Sequence, residues 1–326
     1  MDVLGEMLSA LRLSGGVFVD GELRAPWSVL SHAGPEDCAR FFPIPDHVIA
    51  YHFVRSGALT CQIGDGPAVE VHAGEIVILP QNPPHYLHGP RPWPPSIDAH
   101  DMFEQSAADG MLHLRGGGEG EPTAIYCGYM GATTPDNMLL QSLPGMMVIA
   151  ADAAQGDWII KSIEFAASGL GVHSPEMVGK LAEGLFAEAV RRYVASLPED
   201  ERGWLAGLRD PVVGKVLALI HARYAEAWTL EELAREAGAS KTVLAERFRM
   251  LLGQPVMQYC AHYRMRVAAT MLRHHHENAC SVAYSVGFNS EAAFNRAFKR
   301  EYGVPPATWQ REVQADDRHE KRAAVP

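Results

Sequence analysis

Cysteine, basic charge and long apolar runs are all scarce in this sequence, and each scarcity excludes something. Five cysteines in 326 residues (Cys38, Cys61, Cys127, Cys260, Cys280) are few, odd in number and in no zinc-ligand spacing. They exclude a disulfide scaffold and suit a reducing cytoplasm with free thiols. No run of 18 apolar residues occurs, which excludes a conventional membrane-spanning helix. Asp2 and Glu6 stand where a signal peptide needs basic residues, so the first residues read as part of the mature protein. Lys and Arg number 28 against 39 Asp and Glu, a net charge of −11. Taken whole, that balance argues against nucleic-acid binding.

What is present changes this reading. Hydrophobic residues make up 47% and charged residues 21%, the balance of a soluble globular chain long enough for two or three domains. The charge is divided unevenly. Residues 1–207 hold 11 basic and 26 acidic side chains, net −15, whereas residues 208–326 hold 17 and 13, net +4. Only the C-terminal part can be drawn to phosphate, and only modestly.

The N-terminal half reads as many short strands: Val48–Val54, Ala58–Ile63, Val69–Val71, Glu75–Leu79, His85–Leu87 and Ala124–Met130, with Gly/Pro/Asn turns between. This spacing predicts a β-sandwich or barrel. Gly89–Pro122, rich in Pro and then Gly, reads as irregular. From Pro175 the period becomes helical, with an apolar stripe Met177, Leu181, Leu185, Ala189 that suits dimerisation or packing on the same chain. A second helix begins at Asp210, and helices continue to about Arg311. His274-His275-His276 reads as a solvated helix end, because three adjacent histidines cannot all face one ion. The tail Gln314–Pro326 is polar and reads as disordered.

The C-terminal part repeats itself at an offset of 50 residues. Ser240, Leu244, Phe248, Arg249, Leu252, Gly253 and Pro255 match Ser290, Phe294, Phe298, Lys299, Tyr302, Gly303 and Pro305. The serines suit helix N-caps. The apolar residues at i+4 and i+8 form one buried stripe, and glycine followed two residues later by proline suits a helix end. A shorter apolar-striped segment and a Gly-containing turn precede each copy, giving two helix-turn-helix units joined by Val256–Leu272. Helical hairpins also build solenoids and plain bundles. Two copies fall short of a solenoid, and basic residues off the stripe (Lys241, Arg249, Arg296, Lys299, Arg300) favour DNA over a purely structural bundle.

The segment from Trp228-Thr-Leu-Glu-Glu-Leu-Ala-Arg-Glu-Ala-Gly-Ala-Ser to Val-Pro-Pro306 resembles the AraC/XylS family of transcription regulators over about residues 210–311. It includes that family's Ala-x₂-Val-Gly-Phe-x-Ser-x₃-Phe-x-Arg-x-Phe-Lys signature at Ala283–Lys299. The resemblance implies DNA contacts from Ser240, Lys241, Thr242, Ala245, Glu246 and Arg249 in one helix. In the other it implies Ser290, Glu291, Ala292, Asn295, Arg296, Lys299 and Arg300. Glu246 departs from the pattern, since many members carry a basic residue there and the second copy has Arg296.

Ala50-Tyr-His-Phe-Val, Ala73-Gly-Glu-Ile-Val-Ile-Leu-Pro and Pro84-His85 resemble the cupin-type barrel that such regulators carry as an effector and dimerisation domain. Metal-dependent cupins keep a His-x-His pair, a Glu and a later His. Here Val54 replaces the second histidine, and only His52 and His85 keep the pattern. His52, His85 and Cys127 are the expected effector-binding residues and, with His88 nearby, candidate ligands for a zinc-like ion.

The expected architecture is α+β and multi-domain. A cupin-like effector domain spans 1–170, a helical linker 171–207, an AraC-type double helix-turn-helix domain 208–312 and a tail 313–326. The expected partners are double-stranded DNA, a small-molecule effector, RNA polymerase and a second copy of the chain, with no membrane. The alternative is a metal-dependent cupin enzyme with an accessory helical module.

Overall fold

The computed structural model describes residues 4–5, 8, 11, 13–40, 42–105, 111–132, 137–150, 157–168, 175–274 and 278–313. The tail 314–326 and His275-His276 lie outside them, and His274 closes a helix. The chain divides into two compact units. One spans Leu4–Ser196; the other spans Leu197–Pro326 with Met1–Val3. The helix expected as a linker thus falls in the first unit.

That unit is built on two sheets. Among the described residues its strands are β1 (Ser14–Arg24), β2 (Ser28–Ser31), β3 (His47–Ser56), β4 (Ala58–Ile63), β5 (Val69–His72), β6 (Glu75–Leu79), β7 (His85–His88), β8 (Ile97–Asp98), β9 (Phe103–Gln105), β10 (Leu112–Gly117), β11 (Pro122–Ala132) and β12 (Met147–Ala150). One sheet runs β12-β6-β3-β11-β1-β10-β9 and the other β5-β4-β7-β2-β8. Alternate side chains of both sheets (Val19, Leu23, Val29, Ala50, Val54, Leu59, Leu87, Ile125) share one apolar core.

All six expected strands are present, and glycine hid two others, β1 and β10. β1 lies inside its sheet, between β11 and β10, although its sequence begins Ser-Gly-Gly. At Gly15 a Cβ would stand 2.2 Å from the Tyr129 carbonyl, and at Gly21 2.5 Å from the Ile125 side chain. These glycines allow close approach of neighbouring chain, where composition alone suggests a break. The irregular reading of Gly89–Pro122 is corrected for the same reason. That stretch holds β8, the short helix α1 (Ala99–Met102), β9 and β10. Gly117 has φ +98° and sits where a Cβ would meet the Arg24 carbonyl at 2.0 Å.

The described residues of this unit also form the 3-10 turn Glu36–Arg40 and the helices α2 (Met138–Ser142), α3 (Asp157–Ser168) and α4 (Pro175–Ser196). α4 packs on β1 and β12. Its buried side is Ala182, Phe186, Ala189, Val190 and Val194, so of the expected stripe only Ala189 lies on the side that covers the sheet. Leu181 and Leu185 are half-buried and Met177 is exposed.

The second unit is helical: α5 (Trp204–Arg209), α6 (Pro211–Ala222), α7 (Leu230–Ala237), α8 (Lys241–Leu252), α9 (Val256–His274), α10 (Ala279–Ser285) and α11 (Glu291–Tyr302). Residues 306–313 form a final helical segment. No described helix is long and apolar enough to cross a membrane.

Candidate DNA interface and effector site

The repeat folds as its sequence dictates. The Ser240 hydroxyl accepts the Val243 N–H at 3.2 Å, and the Ser290 hydroxyl accepts that of Ala293 at 3.3 Å. Each cap starts a helix of 12 residues. Each helix ends on a left-handed glycine: Gly253 at φ +72° donates to the Arg249 carbonyl, and Gly303 at φ +80° to that of Lys299. Thr229 and Glu232 close a reciprocal capping box at the start of α7. The two turns differ by one residue: Gly238 carries the positive φ in the first and Gly287 in the second. A Cβ on Gly287 would also stand 2.1 Å from the Ala225 carbonyl, so the second turn needs glycine for space as well as for φ.

Leu244 and Phe248 in α8, and Phe294 and Phe298 in α11, are fully buried. Anchoring one face this way turns the other outward. Ser240, Lys241, Thr242, Glu246, Arg249, Ser290, Glu291, Ala292, Arg296, Lys299 and Arg300 are exposed, and Ala245 is half-buried. Asn295 is also half-buried, with its carbonyl oxygen turned inward and unpartnered among the described residues. Bidentate pairing with adenine would require this side chain to rotate. Lys241 lies 3.4 Å from Glu231. Arg247, absent from the sequence reading, is exposed and pairs with Asp210, the N-cap of α6. Its position off the apolar stripe is the signal that could have found it.

In the first unit, His52 of β3 and Cys127 of β11 are direct cross-strand partners. His85 reaches them from β7 in the opposite sheet. His52 Nδ1 lies 2.8 Å from Cys127 Sγ, and His52 Nε2 lies 2.8 Å from His85 Nε2. His85 Nδ1 lies 2.8 Å from the Pro83 carbonyl. That carbonyl can only accept, so every proton is assigned. His85 donates through Nδ1 and accepts at Nε2. His52 then donates through Nε2 and accepts the Cys127 S–H at Nδ1.

The relay is neutral throughout. All three residues are almost wholly buried, at 1%, 0% and 4% exposure. Burial, and then the neighbouring His85, push the His52 pKa well below its ordinary value. Burial pushes His85 down to about 4. Burial, and then the charges of Asp20 and Cys61, push the Cys127 thiol up.

His52 uses opposite edges of one ring to reach Cys127 and His85. The trio is therefore strung along a line, and a single ion cannot reach all three as they stand. His88 does not join them. It alternates with Leu87 onto the other face of β7, bonds Ser28 at 2.8 Å and stacks on Trp93 at 4.0 Å. Among the described residues, the group whose metal-ligating atoms all lie within 4.8 Å of one another is His32, Asp98 and His100, which the sequence reading did not single out.

Two capped helix-turn-helix pairs with outward basic residues, joined to a two-sheet unit with a polar line across its core, define a protein of the helix-turn-helix DNA-binding class. A cupin family model matches residues 2–195, and a helix-turn-helix domain model matches residues 233–312. A putative AraC-like transcription regulator of Streptomyces lividans is 30% identical over 81% of this chain and 87% of its own length. A second, from Streptomyces antibioticus, is 28% identical over 95% and 99%. The HTH-type transcriptional regulator AlkR of Acinetobacter baylyi is 25% identical over 94% and 98%. The chain belongs to the AraC-type transcription regulators that carry a cupin N-terminal domain.

Proposed function

We propose that this regulator answers to a small effector bound in its strand-built unit, through the relay of Cys127, His52 and His85. The observation that carries the reading is the relay itself. Apolar side chains would fill this core without needing any partner, since a paired buried hydrogen bond adds only about 0.5–1.5 kcal/mol net. A ligand that exchanges hydrogen bonds with this line would act on β3 and β11 in one sheet and β7 in the other. It would bias two arrangements of the unit. The acidic surroundings favour a neutral or weakly charged organic molecule over a polyanion.

On the DNA side, α8 and α11 enter successive major grooves on one face of the duplex, about 34 Å apart. Arg249, Lys299 and Arg300 hold phosphates, and Arg296 reaches guanine or phosphate. A footprint confined to one groove would remove the two-helix reading. Dimerisation through the outward part of α4 is expected as well, and sedimentation of the full chain tests it.

The effector reading is tested with His52→Ala and His85→Ala in a reporter assay, alongside binding of the purified variants to DNA. DNA binding should persist while the response to inducing conditions is lost. Variants that fold, bind DNA and regulate normally under every condition tried would show the relay to be structural only.

A further inference from the structure

A second polar group lies at the edge of the smaller sheet. β8 pairs in parallel with β2, with Leu30 opposite Asp98. His32, two residues beyond Leu30, thus lies on the same side as Asp98. His32 Nε2 is 2.8 Å from Asp98 Oδ2, and His100 Nδ1 is 3.0 Å from Asp98 Oδ1. The two imidazole centroids are 4.8 Å apart. Asp98 is held in place by capping α1, accepting the His100 N–H at 2.9 Å. On the far edge of His100, Asp37 Oδ1 stands 3.7 Å from Nε2. Among the described residues, neither Asp37 nor Asp98 has a lysine or arginine within ion-pair distance. All three ligand residues are partly open to solvent.

The geometry points to a site for a divalent transition ion of the zinc type, held by His32 Nε2, Asp98 and His100 Nδ1, with Asp37 facing the opposite edge of the His100 ring, where it can accept the Nε2 proton. Imidazole nitrogen with carboxylate oxygen is a donor set for zinc and its neighbours. Bonds of about 2.0–2.1 Å place tetrahedral ligand atoms about 3.3 Å apart. The two histidine–carboxylate separations would open by about half an ångström, and the two imidazole nitrogens, within 4.8 Å of each other, would settle to the same spacing. Each imidazole would bind through the nitrogen now directed at Asp98, with its one proton on the other ring nitrogen, and the charges of Asp98 and the neighbouring Asp37 match that of the ion. It would tie together segments 66 residues apart in sequence, where β8 holds β2 through only two residues.

The test is titration of the chelator-stripped full chain with zinc and with cobalt, followed by X-ray absorption of the loaded protein. One equivalent should bind, with a shell of nitrogen and oxygen only. His32→Asn and His100→Asn should each weaken binding about 100-fold or more, taking the upper end of the loss seen for groups one shell further out. Cys127→Ser should leave it unchanged. A sulfur neighbour at about 2.3 Å that disappears in Cys127→Ser would overturn the assignment and place the ion on the internal relay. Binding that is absent, or equal in the wild type and both asparagine variants, would reduce the cluster to an ion-paired helix cap.

Discussion

The two helix-turn-helix units have the same outline and different supports. Behind α8, Phe248 meets Tyr259 edge-on at 5.5 Å, and Tyr259 is part of a polar chain. The Trp204 indole N–H donates to the Tyr259 oxygen at 2.8 Å, and that hydroxyl lies 2.6 Å from His221 Nε2 in a second hydrogen bond. Behind α11 the core is a stack of rings: Phe288, Phe294, Phe298, Tyr302 and Trp309, with centroids 4.6–5.7 Å apart. One recognition helix thus rests partly on directional hydrogen bonds and the other on aromatic area. The two copies share the caps, the stripe and the glycine stops. The packing behind each copy differs, because caps depend on local backbone and cores depend on whichever elements lie opposite.

The largest effect should come from the ring stack. Phe298→Ala should cost about 3–5 kcal/mol, and hydrogen exchange should show protection lost first in Ala279–Tyr302. If Lys241–Leu252 loses protection equally, the two units share one support and the contrast fails.

Breaking the polar chain is the middle case. Tyr259→Phe leaves the Trp204 N–H and His221 without a partner, at about 1–3 kcal/mol. His221 also makes this unit sensitive to pH. Burial, and then the nearby Arg266, lower its pKa to about 3, against 6.5 when unfolded. The folded state therefore excludes a proton that the unfolded chain binds. The His221 contribution is complete above pH 6.5 and falls by about 1.4 kcal/mol per pH unit as pH drops from 6.5 toward 3. Exchange in Pro211–Ala222 should quicken accordingly. His221→Gln, which keeps an acceptor and cannot titrate, should flatten that dependence, and an unaltered dependence would locate the titrating group elsewhere.

The smallest effect is on DNA. Lys299→Ala should weaken binding to all sequences alike and lower the salt slope by about one unit. Loss of discrimination at one base pair with an unchanged slope would make Lys299 a base reader.

The effector half was less legible than the DNA half. The strands His47–Ser56 and Glu75–Leu79 stood out by their β-branched runs. β1 and β10 were hidden because glycine usually breaks strands, whereas here it admits a neighbouring chain. The relay was partly visible: alternation placed His52 with Ala50 and Val54, and Cys127 with Ile125 and Tyr129. That His85 would reach across from the other sheet, and that His88 would turn away to Trp93, depended on strand order.

By itself the sequence determined the caps, the glycine stops, the apolar stripes and hence the two outward basic faces. All of these follow from interactions within a few residues of each other, where spacing along the chain is also spacing in space. Only the tertiary structure decided that α4 lies on its own sheet. It alone decided that His52 lies between Cys127 and His85, and that His32 meets Asp98 and His100. These contacts join residues 33, 66 and 75 positions apart. At such separations the order and register of the strands select the neighbour.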